Sequence, residues 1–305
     1  MKIRNEYNPQ SVTHPGLVLL EKLQEMKMGP KEFSVRTNKP EKTIIAIFNR
    51  QSSITAEMAV LFEKVTKIPA HYWLNHQRAY DESIAREKLR STAKDAIPWA
   101  KKFPLTEMIR KDWLPDVSGI LEKTTRLLEF FAFSSHYAWE KYYFKQQLKV
   151  AFRISLKTVS EPYALTAWSR KGELQAEELT AKKYLPKNFK NVLPKIKALL
   201  SHSQPDFFQQ LQKICLEVGV KVVHTPRLSK VAISGSTRWI SDTPLIQFSG
   251  PIKQNRMFAF TFFHEAGHIL LHGKKDIFLE QVEYSDKDVV KERQADAFAA
   301  KWLEG

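Results

Sequence analysis

Between residues 14 and 80, apolar positions recur in short clusters at helical spacing, each bounded by a proline, a glycine or a capping side chain. Leu17, Leu19, Leu20, Leu23 and Met26 form a stripe behind Pro15, whose fixed φ suits a first helical turn. Gly29-Pro30 interrupts the chain, and a second helix is expected from Lys31 to Thr37, with Phe33 and Val35 as its apolar positions. Asn38-Lys39-Pro40 reads as a turn, because Asn tolerates left-handed backbone and Pro40 restarts a helix. Glu41 to Asn49 then offers Ile44, Ile45, Ile47 and Phe48 to a core. Thr55 caps a fourth helix bearing Ala59, Leu61, Phe62 and Val65, and Pro69 opens a short fifth through Trp73 to Tyr80. Five short helices with a tight turn between the second and third form a helix-turn-helix layout.

Residues 81–200 continue as helices, with breaks expected near Pro98, Pro104, Pro115, Pro162, Pro186 and Pro194. Leu61 and Glu63 followed by Trp73 are echoed at the same spacing by Leu127, Glu129 and Trp139, which suggests a degenerate repeat. From Asp206 the pattern changes. A helix from Phe207 to Glu217 stops at Gly219, and strands are expected over Val220–His224, Val231–Ser234 and Leu245–Phe248. Phe258 to Leu271 is an apolar helix closed by Gly273, and Lys291 to Trp302 is the last helix. The expected architecture is mainly α with a carboxyl-terminal α+β domain: a helix-turn-helix domain over 1–80, a helical middle over 81–200, and a domain with a small three-stranded sheet over 201–305.

Composition narrows the function classes. Met1 to Gln10 carry no apolar run, so no signal peptide is expected, and no stretch approaches the ~18 apolar residues of a membrane span. A cytoplasmic protein without membrane contact is the expectation. One cysteine, Cys215, excludes an internal disulfide framework and any multi-cysteine zinc site. Neither GxGxxG nor GxxxxGK[ST] occurs, so the common phosphate-cradling loops are absent. The net charge is +15, and it is unevenly spread: +5 over residues 1–80, +9 over 81–200 and +1 over 201–305. A basic surface attracts polyanions by counterion release, nucleic acid first among them.

The chemistry lies near the carboxyl end. His264-Glu265-Ala266-Gly267-His268 is an HExxH pattern inside an apolar helical run. Histidines four apart project from one helix face and can reach one metal ion, while Glu265 beside them can act as general base on water. Such a pair can also be two ordinary helix histidines. Glu292 and Asp296 are likewise four apart on the final helix, so Glu292 can complete a site of two histidines and one glutamate. Asp296 can accept a hydrogen bond from the outer ring nitrogen of a ligand histidine. This arrangement is similar to the gluzincin pattern, with zinc (Zn2+) as the cofactor. The metzincin alternative fails at Leu271 and Lys274, and His272 is the weaker choice of third ligand.

The run Phe262-Phe263-His264-Glu265-Ala266-Gly267-His268-Ile269-Leu270-Leu271-His272, with Glu292-Arg293-Gln294-Ala295-Asp296-Ala297-Phe298-Ala299-Ala300, resembles the ImmA/IrrE metallopeptidases over about residues 200–305. Asp296 stands where that family most often has Asn, and the chain stops at Gly305, 13 residues beyond Glu292, where relatives usually continue; a shortened domain is expected. The amino end has its own likeness. His14-Pro15-Gly16-Leu17, Ile54-Thr55-Ala56-Glu57 and Tyr72-Trp73-Leu74-Asn75 resemble HigA-type antitoxins, which are Xre-like regulators, over roughly residues 10–90.

That resemblance implies a dimer on a palindromic operator, with a HigB-like toxin as a possible partner. Lys42 and Arg50 are then candidates for phosphate or guanine, Thr43 and Asn49 for base edges, and Arg36 and Lys39 for phosphate. Each can equally be part of an ordinary solvated face. The function expected is a DNA-binding transcriptional regulator with a metallopeptidase-like domain. Alternatives are a zinc-dependent endopeptidase acting on a regulator or on itself, and a toxin-binding antitoxin whose zinc domain is silent.

Overall fold

The computed structural model describes residues 12–143, 162–202, 205–229, 231, 233–272, 274, 278–279 and 286–304. The chain divides into two compact units, residues 1–92 and 93–305. In the first, α1 (Pro15–Glu25), α2 (Pro30–Thr37), α3 (Glu41–Phe48) and α4 (Ala56–Thr66) precede α5 (Ala70–Asp95). The His14 side chain caps α1 by accepting from the Gly16 amide at 3.0 Å, and Thr55 caps α4 by accepting from Met58 at 3.3 Å. Asn38 joins α2 to α3 with φ 51°, left-handed as its residue type allows.

Leu19, Leu23, Phe33, Ile44, Ile47, Phe62 and Trp73 form the core of this unit, each burial stabilising it by about 1.5–3 kcal/mol. Phe62 packs between Phe33 at 5.0 Å and Trp73 at 6.3 Å. Two expected core residues face outward instead: Val35 is 77% and Ile45 41% exposed. Phe33 and Thr37, four apart, take the buried face of α2, which puts Val35 on the other side. The fifth helix is also longer than expected, 26 residues, since 81–95 contains helix formers and neither Gly nor Pro.

The second unit holds α6 (Ile97–Ala100), α7 (Leu105–Arg110), α8 (Ile120–Phe131), α9 (His136–Tyr142), α10 (Pro162–Glu177), α11 (Pro186–Ser201) and α12 (Phe207–Glu217). Then come β1 (Lys221–His224), β2 (Gly235–Ile240), β3 (Thr243–Phe248), α13 (Arg256–Leu271), β4 (Phe278–Leu279) and α14 (Asp286–Glu304). Pro194 does not break the chain. It sits exposed inside α11. Helices α8 and α9 do echo α4 and α5. Left-handed Ala132 and Lys67 end the first helix of each pair, and Trp139 and Trp73 are buried one turn into the second.

The sheet order is β1-β3-β2-β4, with β1 parallel to β3 and β2 antiparallel to both of its neighbours. Of the three strands expected, the second is displaced: it starts at Gly235 rather than covering 231–234. Val231 and Ile233 are drawn instead into the helical core around Trp99, Leu127 and Trp168. Burial in a neighbouring core thus overrides their β-branched preference. Helix α10 covers one face of the sheet, where Trp168 O accepts from Gln247 at 2.8 Å and Ser169 O from Arg238 at 2.6 Å. Helix α13 covers the other, with Phe258 against Phe248 at 4.8 Å. Residues before and after position 200 thus share packing. Gly273, expected to close α13, lies outside the described residues; His272 caps the helix.

Helices α13 and α14 cross at Gly267. A Cβ there would lie 3.2 Å from Ala295 Cα and 3.3 Å from Phe298 Cβ, so the missing side chain sets how closely the two backbones approach. At an exposed helix position Gly→Ala stabilises by about 1 kcal/mol. Here overpacking outweighs that gain, and Gly267→Ala is expected to lower stability by about 1–2 kcal/mol in urea denaturation.

Candidate functional site

His264 and His268 project from α13 on one face, and Glu292 and Asp296 face them from α14. Glu292 reaches both rings: its Oε2 lies 3.3 Å from His264 Nε2 and its Oε1 3.4 Å from His268 Nε2. The two Nε2 atoms are 3.0 Å apart. The ligand atoms of these three residues all lie within 4.8 Å of one another, and among the described residues this is the group of His, Cys, Asp and Glu that can hold a metal ion.

The outer ring nitrogens are engaged as well. His264 Nδ1 donates to Asp296 Oδ1 at 2.9 Å, which holds the ring with Nε2 facing Glu292. His268 Nδ1 meets His272 Nδ1 at 2.9 Å, and His272 Nε2 meets Gln294 Oε1 at 3.1 Å. His272 thus stands behind His268 rather than beside Glu292. With Nδ1 of His264 committed, ring nitrogens and a carboxylate converge where electron-rich atoms repel unless a proton or a cation lies between them. That is the donor chemistry of a metal site built from two imidazoles and one carboxylate.

Electrostatics point the same way. Burial pushes the Glu292 carboxyl up, but hydrogen bonds with His264 and His268 outweigh it and bring its pKa down to about 2. Burial lowers the pKa of His268 while Glu292 pulls it the other way, and burial wins. A charged carboxylate beside a neutral imidazole is the state a metal ion requires.

Glu265, between the two histidines in sequence, is fully buried against the sheet. Its Oε2 accepts from Thr237 Oγ1 at 2.6 Å, and Gly235 leaves room for the carboxylate, since a Cβ there would come within 2.6 Å of Oε1. Hydrophobic patterning carries no sign of Thr237 or Gly235 as site residues, because both depend on the register of β2. Nor does it single out His272 and Gln294 as the group behind His268.

The positions proposed for nucleic acid lie around the α2–α3 turn. Lys42 is exposed and Thr43 half-buried in the first turn of α3. Asn49 and Arg50, expected on that helix, lie past its end: Asn49 caps it, and Arg50 is exposed with φ 61°. Arg36 pairs with Glu32 at 2.6 Å and Lys39 with Glu57 at 2.6 Å, the Lys39 side chain being 18% exposed. Lys39 therefore ties the turn to α4. Exposed Ile45 shares the outer face of α3 with Lys42, three residues before it. Trp73, Trp99, Trp113 and Trp139 are buried, as is Cys215, whose thiol pKa burial raises.

Residues 215–303 match the peptidase family M78 model, described as the IrrE N-terminal-like domain. The carboxyl-terminal part of the chain is an IrrE-like domain. No curated protein matches the chain. Among solved structures, it is similar to an addiction module antidote protein of a HigA family from Coxiella burnetii, with 34% identity over 26% of this chain and 87% of that one and a TM-score of 0.25. It is also similar to the Pseudomonas aeruginosa antitoxin HigA with the higBA promoter, at 26% identity over 26% and 86% and a TM-score of 0.25. A third, from Pseudomonas aeruginosa in complex with its operator DNA, shares 26% identity over 25% and 84%, with a TM-score of 0.24. Among the described residues, no helix is long and apolar enough to cross a membrane.

The Thr237–Glu265 contact is a buried hydroxyl donating to a carboxyl group. Removing it by Thr237→Val is expected to destabilise the fold by about 1–3 kcal/mol, measured by urea denaturation of the full chain.

Proposed function

We propose that the chain is a DNA-binding transcriptional regulator of the HigA antitoxin type, acting in the cytoplasm as a homodimer on a palindromic operator, with a zinc metallopeptidase domain of gluzincin type at its carboxyl end. In this reading residues 1–80 bind DNA, 81–200 form a helical middle and 201–305 carry the metal site, with a HigB-like toxin as a further partner. The observation that carries it is the joining in one chain of an exposed helix-turn-helix surface and a convergent His264/His268/Glu292 cluster. The sequence resemblance to HigA-type antitoxins supports the first half, and the IrrE-like match the second.

On DNA, the start of α3 enters the major groove, so that Lys42 and Thr43 reach base edges while Asn49 and Arg50 meet the groove or backbone beyond the helix end. Arg36 and Lys39 contact phosphate, exchanging their present carboxylate partners Glu32 and Glu57 for it. In the second domain His264, His268 and Glu292 hold the ion, and Asp296 fixes the His264 tautomer. Bound zinc supplies a Lewis acid for the scissile carbonyl. Glu265 is the general base: its carboxylate, oriented by Thr237, takes a proton from the attacking water and passes it to the leaving amine.

Fluorescence anisotropy with promoter DNA upstream of the gene should show binding that weakens steeply as salt rises. Lys42→Ala and Arg50→Ala should each cost ~1–3 kcal/mol where the contact is base-specific. A chain that binds no DNA at low salt contradicts the regulator reading.

Elemental analysis of the purified chain should find one zinc per molecule. His264→Ala should abolish it and Glu265→Gln should retain it, while Asp296→Ala should weaken affinity ~10–100-fold. Loss of zinc from Glu265→Gln, or retention in His264→Ala, contradicts these roles.

A further inference from the structure

A cavity of about 320 Å³ opens beside the first turns of α13. Thr261, one turn before Glu265, and Ser234, next to Gly235, are among the residues that line it. It therefore adjoins the place where Gly235 makes room for the Glu265 carboxylate. Phe248 and Met257 give it apolar surface, while Arg227 and Lys253 supply two positive charges and no lining residue is acidic.

This charge is local. Residues 201–305 as a whole carry +1, so the cavity is a basic spot on a nearly neutral domain. Arg227 and Lys253 are both exposed, and neither forms an ion pair among the described residues. By contrast Arg238 on β2 approaches Glu173 at 3.7 Å, and Lys274 meets Asp242 at 2.7 Å. Two cations without a carboxylate, at the mouth of a partly apolar cavity, complement a short acidic group on a flexible apolar stem.

We propose that this cavity is a specificity subsite that takes an acidic side chain, Asp or Glu, of an extended peptide whose neighbouring bond lies at Glu265. The inference rests on the peptidase reading and adds its substrate class. Arg227 and Lys253 bind the carboxylate, Phe248 and Met257 pack against its methylene stem, and the serine and threonine hydroxyls line the route toward Glu265. Both cations are specificity residues. They hold a side chain remote from the reacting bond and take no part in proton transfer.

The test measures binding rather than turnover, with the full-length Glu265→Gln chain loaded with zinc. The probes are fluorescein-labelled nonapeptides, blocked at both ends, with Glu or Gln scanned through each position of an otherwise neutral mixture. A second arm gives the Gln peptides a free carboxyl terminus, which separates side-chain from terminal carboxylate. At ~150 mM salt, where the Debye length is ~8 Å, one position should favour Glu over Gln by about tenfold or more, equivalent to ~1.4 kcal/mol. Arg227→Gln/Lys253→Gln should abolish that preference. Lys187→Gln/Lys190→Gln, exposed residues on α11 that change net charge equally, should leave it intact.

Equal binding of Glu and Gln peptides at every position overturns the subsite and leaves the peptidase reading standing. So does a preference that survives the Arg227/Lys253 change, or one shown by the free carboxyl terminus instead of the side chain. Absence of binding by any peptide overturns both. Thermal unfolding and zinc content of each variant, matched to the parent, confirm that the comparison is between folded chains.

Discussion

The close crossing of α13 and α14 is the constraint on which the candidate metal cluster depends. His264 and His268 share a face by helical periodicity alone, but their third partner comes from a different helix. Glu292 can meet both rings because Gly267 admits Ala295 at backbone distance. One turn along, the same crossing brings Asp296 onto the outer nitrogen of His264 at 2.9 Å. A glycine that lowers helix propensity by about 1 kcal/mol is thus compensated by packing and by the site it assembles.

A second constraint holds Glu265, the proposed general base. Glu265 follows His264 on α13 and meets the sheet at Thr237 on β2. The sheet in turn is fixed on its other face by α10 through Gln247 and Arg238. Arg238 is buried, and burial lowers its pKa while Glu173 opposes that shift. The helical middle therefore supports the strand that orients Glu265. Its role in the proposed chemistry is mechanical, exerted through the β2 register rather than through any group in the site.

Much of this is legible without the fold. HEAGH, followed by Glu292 and Asp296 four apart, needs only the helical period to place each pair on one face of its own helix. The helices of the first unit can be read from Pro15, Thr55 and the apolar stripes. The features that escape such a reading involve competition between elements. Val231 and Ile233 look like a strand locally, yet they are buried beside Trp99 and Trp168, and β2 begins four residues after Val231. Without that register, Gly235 and Thr237 could not be assigned to Glu265. Likewise Lys39 reads as a free cation in the turn, and its partner Glu57 stands on α4. Val35 has apolar chemistry but lies opposite the face taken by Phe33 and Thr37.

The most direct test of the central claim is X-ray absorption at the zinc edge on the metal-loaded full chain and on Glu292→Ala. The account predicts two imidazole nitrogens at ~2.0–2.1 Å and carboxylate oxygen at ~2.0–2.2 Å, with the carboxylate contribution lost in the variant. A spectrum with three imidazoles, or one unchanged by Glu292→Ala, would show that the α13–α14 crossing does not build the metal site.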